Sequence, residues 1–179
     1  MNQPEANKLR VLFLCTRNSA RSQIAEAVMM SRLARQNNPR FEVGSAGSAP
    51  GDAVHPLAIE ALTSFGIDWR GRSPKGYEAV QGQRWDLIIT VCDRAREACP
   101  SFPGQPAFAH WGMDDPASVF GDTTARERAF RDTVTYLSRR IDLLMSLRFE
   151  SLERSALELR VEQIATEVPV PRSPIAELH

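Results

Sequence analysis

Residues 8–22 read KLRVLFLCTRNSARS, and the fold is decided where the apolar part of that run gives way to the polar part. Lys8 to Leu14 becomes a short continuous apolar stretch bounded by a turn, the pattern of a strand buried on both faces in a parallel sheet. From Ser22 the spacing turns helical: Ile24, Ala25, Val28, Met29 and Leu33 share one face until Asn37, Asn38 and Pro39 stop it. Between strand and helix lies Cys15-Thr16-Arg17-Asn18-Ser19-Ala20-Arg21. Backbone N–H groups of Thr16, Arg17, Asn18, Ser19, Ala20 and Arg21 can wrap a tetrahedral anion there, with the positive end of the helix behind them. Arg21 adds a planar fork for two anion oxygens. The same field is expected to lower the Cys15 thiol below its usual ~8.5, with the Ser22 hydroxyl donating to the sulfur. Asn18 can tie the crest of the turn through its side-chain amide.

The plainer reading is a buried cysteine at a strand end beside a helix-capping serine. Placement between a strand and a helix favours the anion-binding nucleophile. The loop has no glycine. A positive φ at Arg17 would store about 1 kcal/mol or more; otherwise its side chain points outward and adds positive potential at the mouth.

Working outward, Phe41 to Ser45 reads as a second strand. Pro56 opens a helix carrying Leu57, Ile59, Ala61, Leu62 and Phe65, with Gly66 at its end. Residues 68–84 read as a long loop. DLIITV, residues 86–91, is the clearest strand, and Phe108-Ala109 suggests a fourth. A long amphipathic helix over 123–147 presents Phe130, Val134, Leu137, Ile141 and Leu144. A further helix over about 151–166 carries Leu152, Leu157, Leu159, Val161 and Ile164, and the proline-bearing tail after Val168 is expected to fray. Strands alternating with helices imply an α/β three-layer sandwich with a four-stranded parallel sheet and right-handed crossovers. Residues 1–147 form the expected domain and 148–179 a C-terminal helix and tail. Ligands in such folds bind at strand carboxyl ends, where both Cys15 and Cys92 fall.

The chain has 179 residues, with 22 Lys+Arg against 22 Asp+Glu. A formal charge of zero supplies no global field toward nucleic acid or anionic lipid. No stretch approaches the ~20 apolar residues of a membrane span, and the polar amino end lacks a signal-peptide core, so a cytoplasmic protein is expected. Three cysteines, an odd number, argue against a structural disulfide framework. Cys92-x6-Cys99 is wider than a zinc knuckle and no histidine pair completes four ligands, so no metal or other cofactor is expected. His55 and His110 read as structural and Trp111 as a wall. Asp114-Asp115-Pro116 offers a general acid over an anion, and chemistry alone does not choose between the two aspartates. The alternative is a helix cap.

VLFLCTRNSARSQIAEA (residues 11–27) resembles the active-site loop of the low-molecular-weight tyrosine phosphatase fold, and is most similar to that fold's thioredoxin-coupled arsenate reductases. Ser45-Ala46-Gly47, Thr90-Val91-Cys92 and His110-Trp111-Gly112-Met113-Asp114-Asp115-Pro116 agree with that match, which covers about residues 8–145. The resemblance implies that Cys15 attacks arsenate and Asp115 assists loss of an oxygen. Cys92 then releases arsenite by forming a disulfide with Cys15, and Cys99 moves that disulfide outward for thioredoxin or another thiol reductant. It also implies that Asn18, Glu26 and Ser45 contribute to the monovalent-cation site of some members, although an acidic ligand is lacking near Ser73-Pro74-Lys75. Two other functions remain open: a tyrosine phosphatase using only Cys15, Arg21 and Asp115, and a non-catalytic redox or oxyanion sensor. A helical segment 93–98 would hold Cys92 and Cys99 about 10 Å apart, beyond the ~7 Å of a disulfide, so that segment is expected to unwind on oxidation.

Overall fold

The computed structural model describes residues 8–173. Four parallel strands, β1 (Leu9–Cys15), β2 (Phe41–Gly47), β3 (Leu87–Thr90) and β4 (Ala107–His110), pair in the order β2-β1-β3-β4. Val11, Leu12, Phe13 and Leu14 are completely buried, as are Leu87, Ile88 and Ile89. Side chains alternate faces along a strand, so continuous burial means that both faces of the central strands are covered, in a three-layer α/β architecture.

The covering helices are α1 (Arg21–Gln36), α2 (Pro56–Ser64), α3 (Asp93–Glu97), α4 (Thr123–Met145) and α5 (Arg154–Glu167). Helix α1 lies on β1 and β2 and packs against α4, which also carries α2. All five apolar residues expected on the α4 face are fully buried. Pro56 stands at the first position of α2 with His55 as its cap, the Nδ1 accepting from Leu57 N–H at 3.1 Å. Two expected core residues are exposed instead, Phe65 (41%) and Leu159 (60%). Phe65 falls just past the end of α2, and Leu159 points away from the Leu157, Val161 and Ile164 stripe that α5 buries.

Helix α5 closes an open edge. Strand β4 ends the sheet, and its outward N–H groups would face solvent. Glu158 and Glu162, one turn apart on α5, accept from Phe108 N–H at 2.9 Å and His110 N–H at 2.7 Å. Trp111 Nε1 donates to the Val161 carbonyl. Buried Arg140 of α4 holds the carboxyl end of α5, its Nε and Nη2 donating to the Val168 carbonyl at 3.1 and 3.0 Å. Fraying does not begin after Val168. Val170 packs against the core and Arg172 and Ser173 make polar contacts, because Asp93 and Asp114 wait for them. The rest of the expected tail, residues 174–179, lies outside the described residues.

Candidate active site

The loop after β1 is held from outside by its carbonyls. Those of Cys15, Thr16, Arg17 and Ser19 accept from the N–H groups of Ser48, Ala49, Gly51 and His55, at 2.8–3.3 Å. With the carbonyls turned outward, the amides face the sulfur; Asn18 N–H donates to Cys15 Sγ at 3.1 Å. Gly47 makes the close approach possible, since a Cβ there would sit 2.5 Å from the Thr16 carbonyl oxygen and 2.8 Å from Asn18 N. Ala20 occupies the N-cap of α1 and offers no capping side chain, so nothing on that residue competes with an incoming anion for the first-turn N–H groups.

The left-handed residue of the loop is Asn18 (φ 50°), not Arg17. Asparagine tolerates that region at little cost, which is why the loop needs no glycine. Asn18 is fully buried and fully bonded: Nδ2 donates to Ser22 Oγ at 2.8 Å and Ser45 Oγ at 2.9 Å. Its Oδ1 accepts from Lys75 N–H at 2.8 Å and Gln23 Nε2 at 2.9 Å. A backbone N–H can only donate, so Lys75 fixes which way the amide points. Trp69 Nε1–H fixes Gln23 in the same manner at 2.8 Å. Ser45 Oγ–H donates to Glu26 at 2.5 Å, and the Lys75 ammonium lies 3.3 Å from that same carboxylate. The positive charge beside Glu26 is therefore supplied by the chain itself.

Ser22 Oγ is 2.8 Å from Cys15 Sγ. Because it already accepts from Asn18, its own proton is free to face the sulfur once Cys15 ionises. Burial nevertheless pushes the Cys15 thiol up from its ordinary value, outweighing the Ser22 hydrogen bond and the Arg21 charge that pull it down. The direction is thus opposite to the expected lowering, since a sulfur only 3% exposed loses more hydration than one hydroxyl and one guanidinium return.

A cleft of about 740 Å³ opens above, walled by Thr16, Arg17, Arg21, Cys92, Asp114 and Asp115 among others. Arg21 Nη1 donates to the Met113 carbonyl at 2.9 Å, linking the anion loop to the aspartate loop. Asp115 Oδ1 caps a single 3-10 turn at Pro116–Ser118 by accepting from Ala117 N–H at 3.0 Å. Asp114 is otherwise engaged, its Oδ2 accepting from Ser173 N–H at 2.5 Å. Asp115 Oδ2 also accepts from the Ser118 hydroxyl at 3.3 Å, so both carboxylates are bonded, Asp114 to the tail and Asp115 within its own turn.

Cys92 is buried just past β3, and the Thr16 hydroxyl is 3.4 Å from its sulfur. The second thiol therefore borders the loop that holds the first. Cys99 does not join them. It sits beyond α3, half-buried, in a separate cleft of about 610 Å³ that includes Arg96, Phe108, Ser155 and Glu158. Burial pushes its thiol up to about 11. All three cysteines are unpaired. Sequence reasoning gave no role in shaping the loop to Gln23, Gly47, Trp69 or Lys75, the last three of which act from segments distant in sequence.

A cysteine-centred amide cradle at the carboxyl end of the first strand, faced by an arginine and an aspartate loop, has the donors and the thiol that a tetrahedral oxyanion would call for. The profile of the low molecular weight phosphotyrosine protein phosphatase family matches residues 10–157. An arsenate reductase of Halalkalibacterium halodurans is 34% identical over 135 residues, spanning 75% of this chain and 94% of that protein. One from Bacillus cereus (strain Q1) is 40% identical over 111 residues, 62% of this chain and 79% of its own. Among solved structures, an arsenate reductase in the phosphate-binding state superposes with a TM-score of 0.60 at 26% identity, over 77% of this chain and 97% of that one. The tyrosine phosphatase of T. tengcongensis, at 24% identity, shares the fold with a TM-score of 0.63 over 78% of this chain and 100% of its own. This chain belongs to the low molecular weight phosphotyrosine protein phosphatase family.

Proposed function

We propose that this protein reduces arsenate to arsenite, using Cys15 as nucleophile and Cys92 and Cys99 as the source and outlet of electrons. The observation that carries the reading is the Cys92 sulfur beside Thr16, a second buried thiol bordering the nucleophile's own loop. A phosphate ester hydrolase has no use for it. The named relatives support the reading, being arsenate reductases at 34–40% identity.

Arsenate enters the cradle of amides from Thr16 to Arg21, clamped by the Arg21 fork, and takes up the proton of the Cys15 thiol. The thiolate, held by Ser22, forms a sulfur–arsenic bond while Asp115 protonates the departing oxygen, which leaves as water. Cys92 thiolate then attacks the Cys15 sulfur. An S–S bond forms, the S–As bond breaks, and its electron pair stays on arsenic, which departs as arsenite. Cys99 next attacks Cys92, transferring the disulfide and freeing Cys15. A dithiol protein of the thioredoxin class, or another thiol, reduces the Cys92–Cys99 bond. No helix among the described residues is long and apolar enough to cross a membrane.

Arsenite formation with a thioredoxin system tests this in wild type, Cys92→Ser and Cys99→Ser. Turnover is expected to disappear in both variants, while cleavage of an aryl phosphate through Cys15, Arg21 and Asp115 persists. Hydrolysis without arsenite from the wild type would establish the phosphatase reading instead.

A further inference from the structure

The six described residues after α5, 168–173, return to the mouth of the cleft. Arg172 Nη2 lies 2.8 Å from Asp93 Oδ2, and its Nε lies 3.2 Å from Asp114 Oδ1. Ser173 N–H also donates to Asp114. Asp93 is the first residue of α3 and directly follows Cys92; Asp114 directly precedes Asp115. One guanidinium therefore ties the head of the redox helix to the acid loop. Behind it, Asp93 Oδ1 meets His110 Nε2 at 2.9 Å, and His110 Nδ1 meets Thr90 Oγ1 at 2.7 Å. Gly112 leaves the space: a Cβ there would come within 2.5 Å of His110 Nε2 and 3.0 Å of both Arg172 Nη1 and Asp93 Oδ1.

We propose that Arg172 is a positioning residue, a strap that holds α3 helical in the reduced protein and lets go of Asp93 when Cys92 must reach Cys99. The proposal rests on the relay reading for its chemistry. In that step the Cys99 thiolate attacks the Cys92 sulfur of the Cys15–Cys92 disulfide. The Cys92–Cys99 bond forms, the Cys15–Cys92 bond breaks, and Cys15 leaves as a thiolate with no net oxidation. A turn of helix stands between the two sulfurs, and the Asp93 carboxylate moves with the backbone that unwinds. A strap bonded to that carboxylate favours the wound state and slows the migration. Two prolines, Pro169 and Pro171, stiffen the approach, and partly buried Val170 anchors it.

Amide hydrogen exchange on the full-length reduced chain, with no substrate present, decides the strap independently of arsenate chemistry. In Arg172→Ala, residues 93–98 are expected to exchange about 3- to 10-fold faster, the scale of losing a partly exposed ion-pair network, with α1 unchanged. Arg172→Lys, which keeps the charge but not the fork, is expected to fall between. Unchanged exchange over 93–98 in Arg172→Ala overturns the proposal, as does an equal rise throughout the molecule. In single turnover with arsenate, the same variant is expected to form the Cys92–Cys99 disulfide faster at unchanged KM; a changed KM with an unchanged migration rate overturns it. Should wild type make no arsenite, the relay reading fails and the exchange result alone stands for or against the strap.

Discussion

Ser22 Oγ sits 2.8 Å from Cys15 Sγ while accepting from Asn18 Nδ2 at the same distance, so one hydroxyl joins the nucleophile to the buried amide that shapes its loop. Ser22→Ala removes the donor to the thiolate and leaves Asn18 one partner short. A hydrogen bond to a charged group contributes about 1.5–3 kcal/mol. Turnover at neutral pH is therefore expected to fall about 10- to 100-fold, and the pH needed to alkylate Cys15 to rise. An unchanged alkylation profile would separate Ser22 from the sulfur's ionisation.

Cys99 provides a pH signature. Burial raises its thiol to about 11, above the ordinary thiol value of an unfolded chain, so the folded state favours the neutral form. That contribution is complete at pH below the unfolded thiol value and is lost as pH climbs toward about 11. Urea midpoints measured from pH 8 upward should drop more steeply for wild type than for Cys99→Ser. Parallel curves would contradict it.

Gly47→Ala tests the cradle without touching a reactive group. Its Cβ would meet backbone atoms of Thr16 and Asn18, which have no rotamer to yield. The expected cost is about 1–3 kcal/mol of stability, as for other overpacked sites. Phosphate is expected to raise the Tm of the wild type through the cradle, and that rise should vanish in the variant. Retention of that rise would mean the loop tolerates displacement.

Lys75 beside Glu26 bears on the monovalent-cation site that the resemblance implies. With the ammonium 3.3 Å from that carboxylate, exchanging potassium for choline is expected to leave activity unchanged. Lys75→Met strands a buried carboxylate and should cost about 1–2 kcal/mol, reduced from a fully buried pair because Lys75 is partly exposed. Added potassium should restore part of the lost Tm in the variant alone.

Glu158 and Glu162 test the edge seal. Replacing both with Ala leaves two strand N–H groups of β4 unpaired, exposing a template for strand addition. The double variant should lose Tm and scatter more light on incubation at elevated temperature. A wild-type scattering profile would show that α5 covers the edge by packing alone.

Much of this was readable from sequence wherever neighbours in the chain carry the signal. The apolar run before Cys15, the helical spacing from Ile24 to Leu33 and the buried face of α4 from Phe130 to Leu144 all reflect local periodicity meeting a covered sheet. The direction of the Cys15 shift was not readable, because burial of the sulfur is set by the whole fold rather than by its loop. Arg172 and Asp93 are 79 residues apart, and no pattern in either segment announces the other. Whether Arg17 takes a positive φ was open from the sequence, and the left-handed residue is its neighbour Asn18 for a related reason. What fixes Asn18 is a set of partners at 22, 23, 45 and 75, three of the four supplied by side chains whose types are common in any surface loop.

The outward tethering of the loop carbonyls by residues 48–55 means that the amide cradle stands ready before anything arrives. On the proposed function, such a rigid socket would recognise a tetrahedron of oxygens, and phosphate offers nearly the same one as arsenate. Selection between the two anions then falls to what the central atom can do after it has docked. Only arsenic readily takes an electron pair from sulfur, so phosphate would visit, occupy and leave unchanged, acting as a brake whose strength follows its concentration.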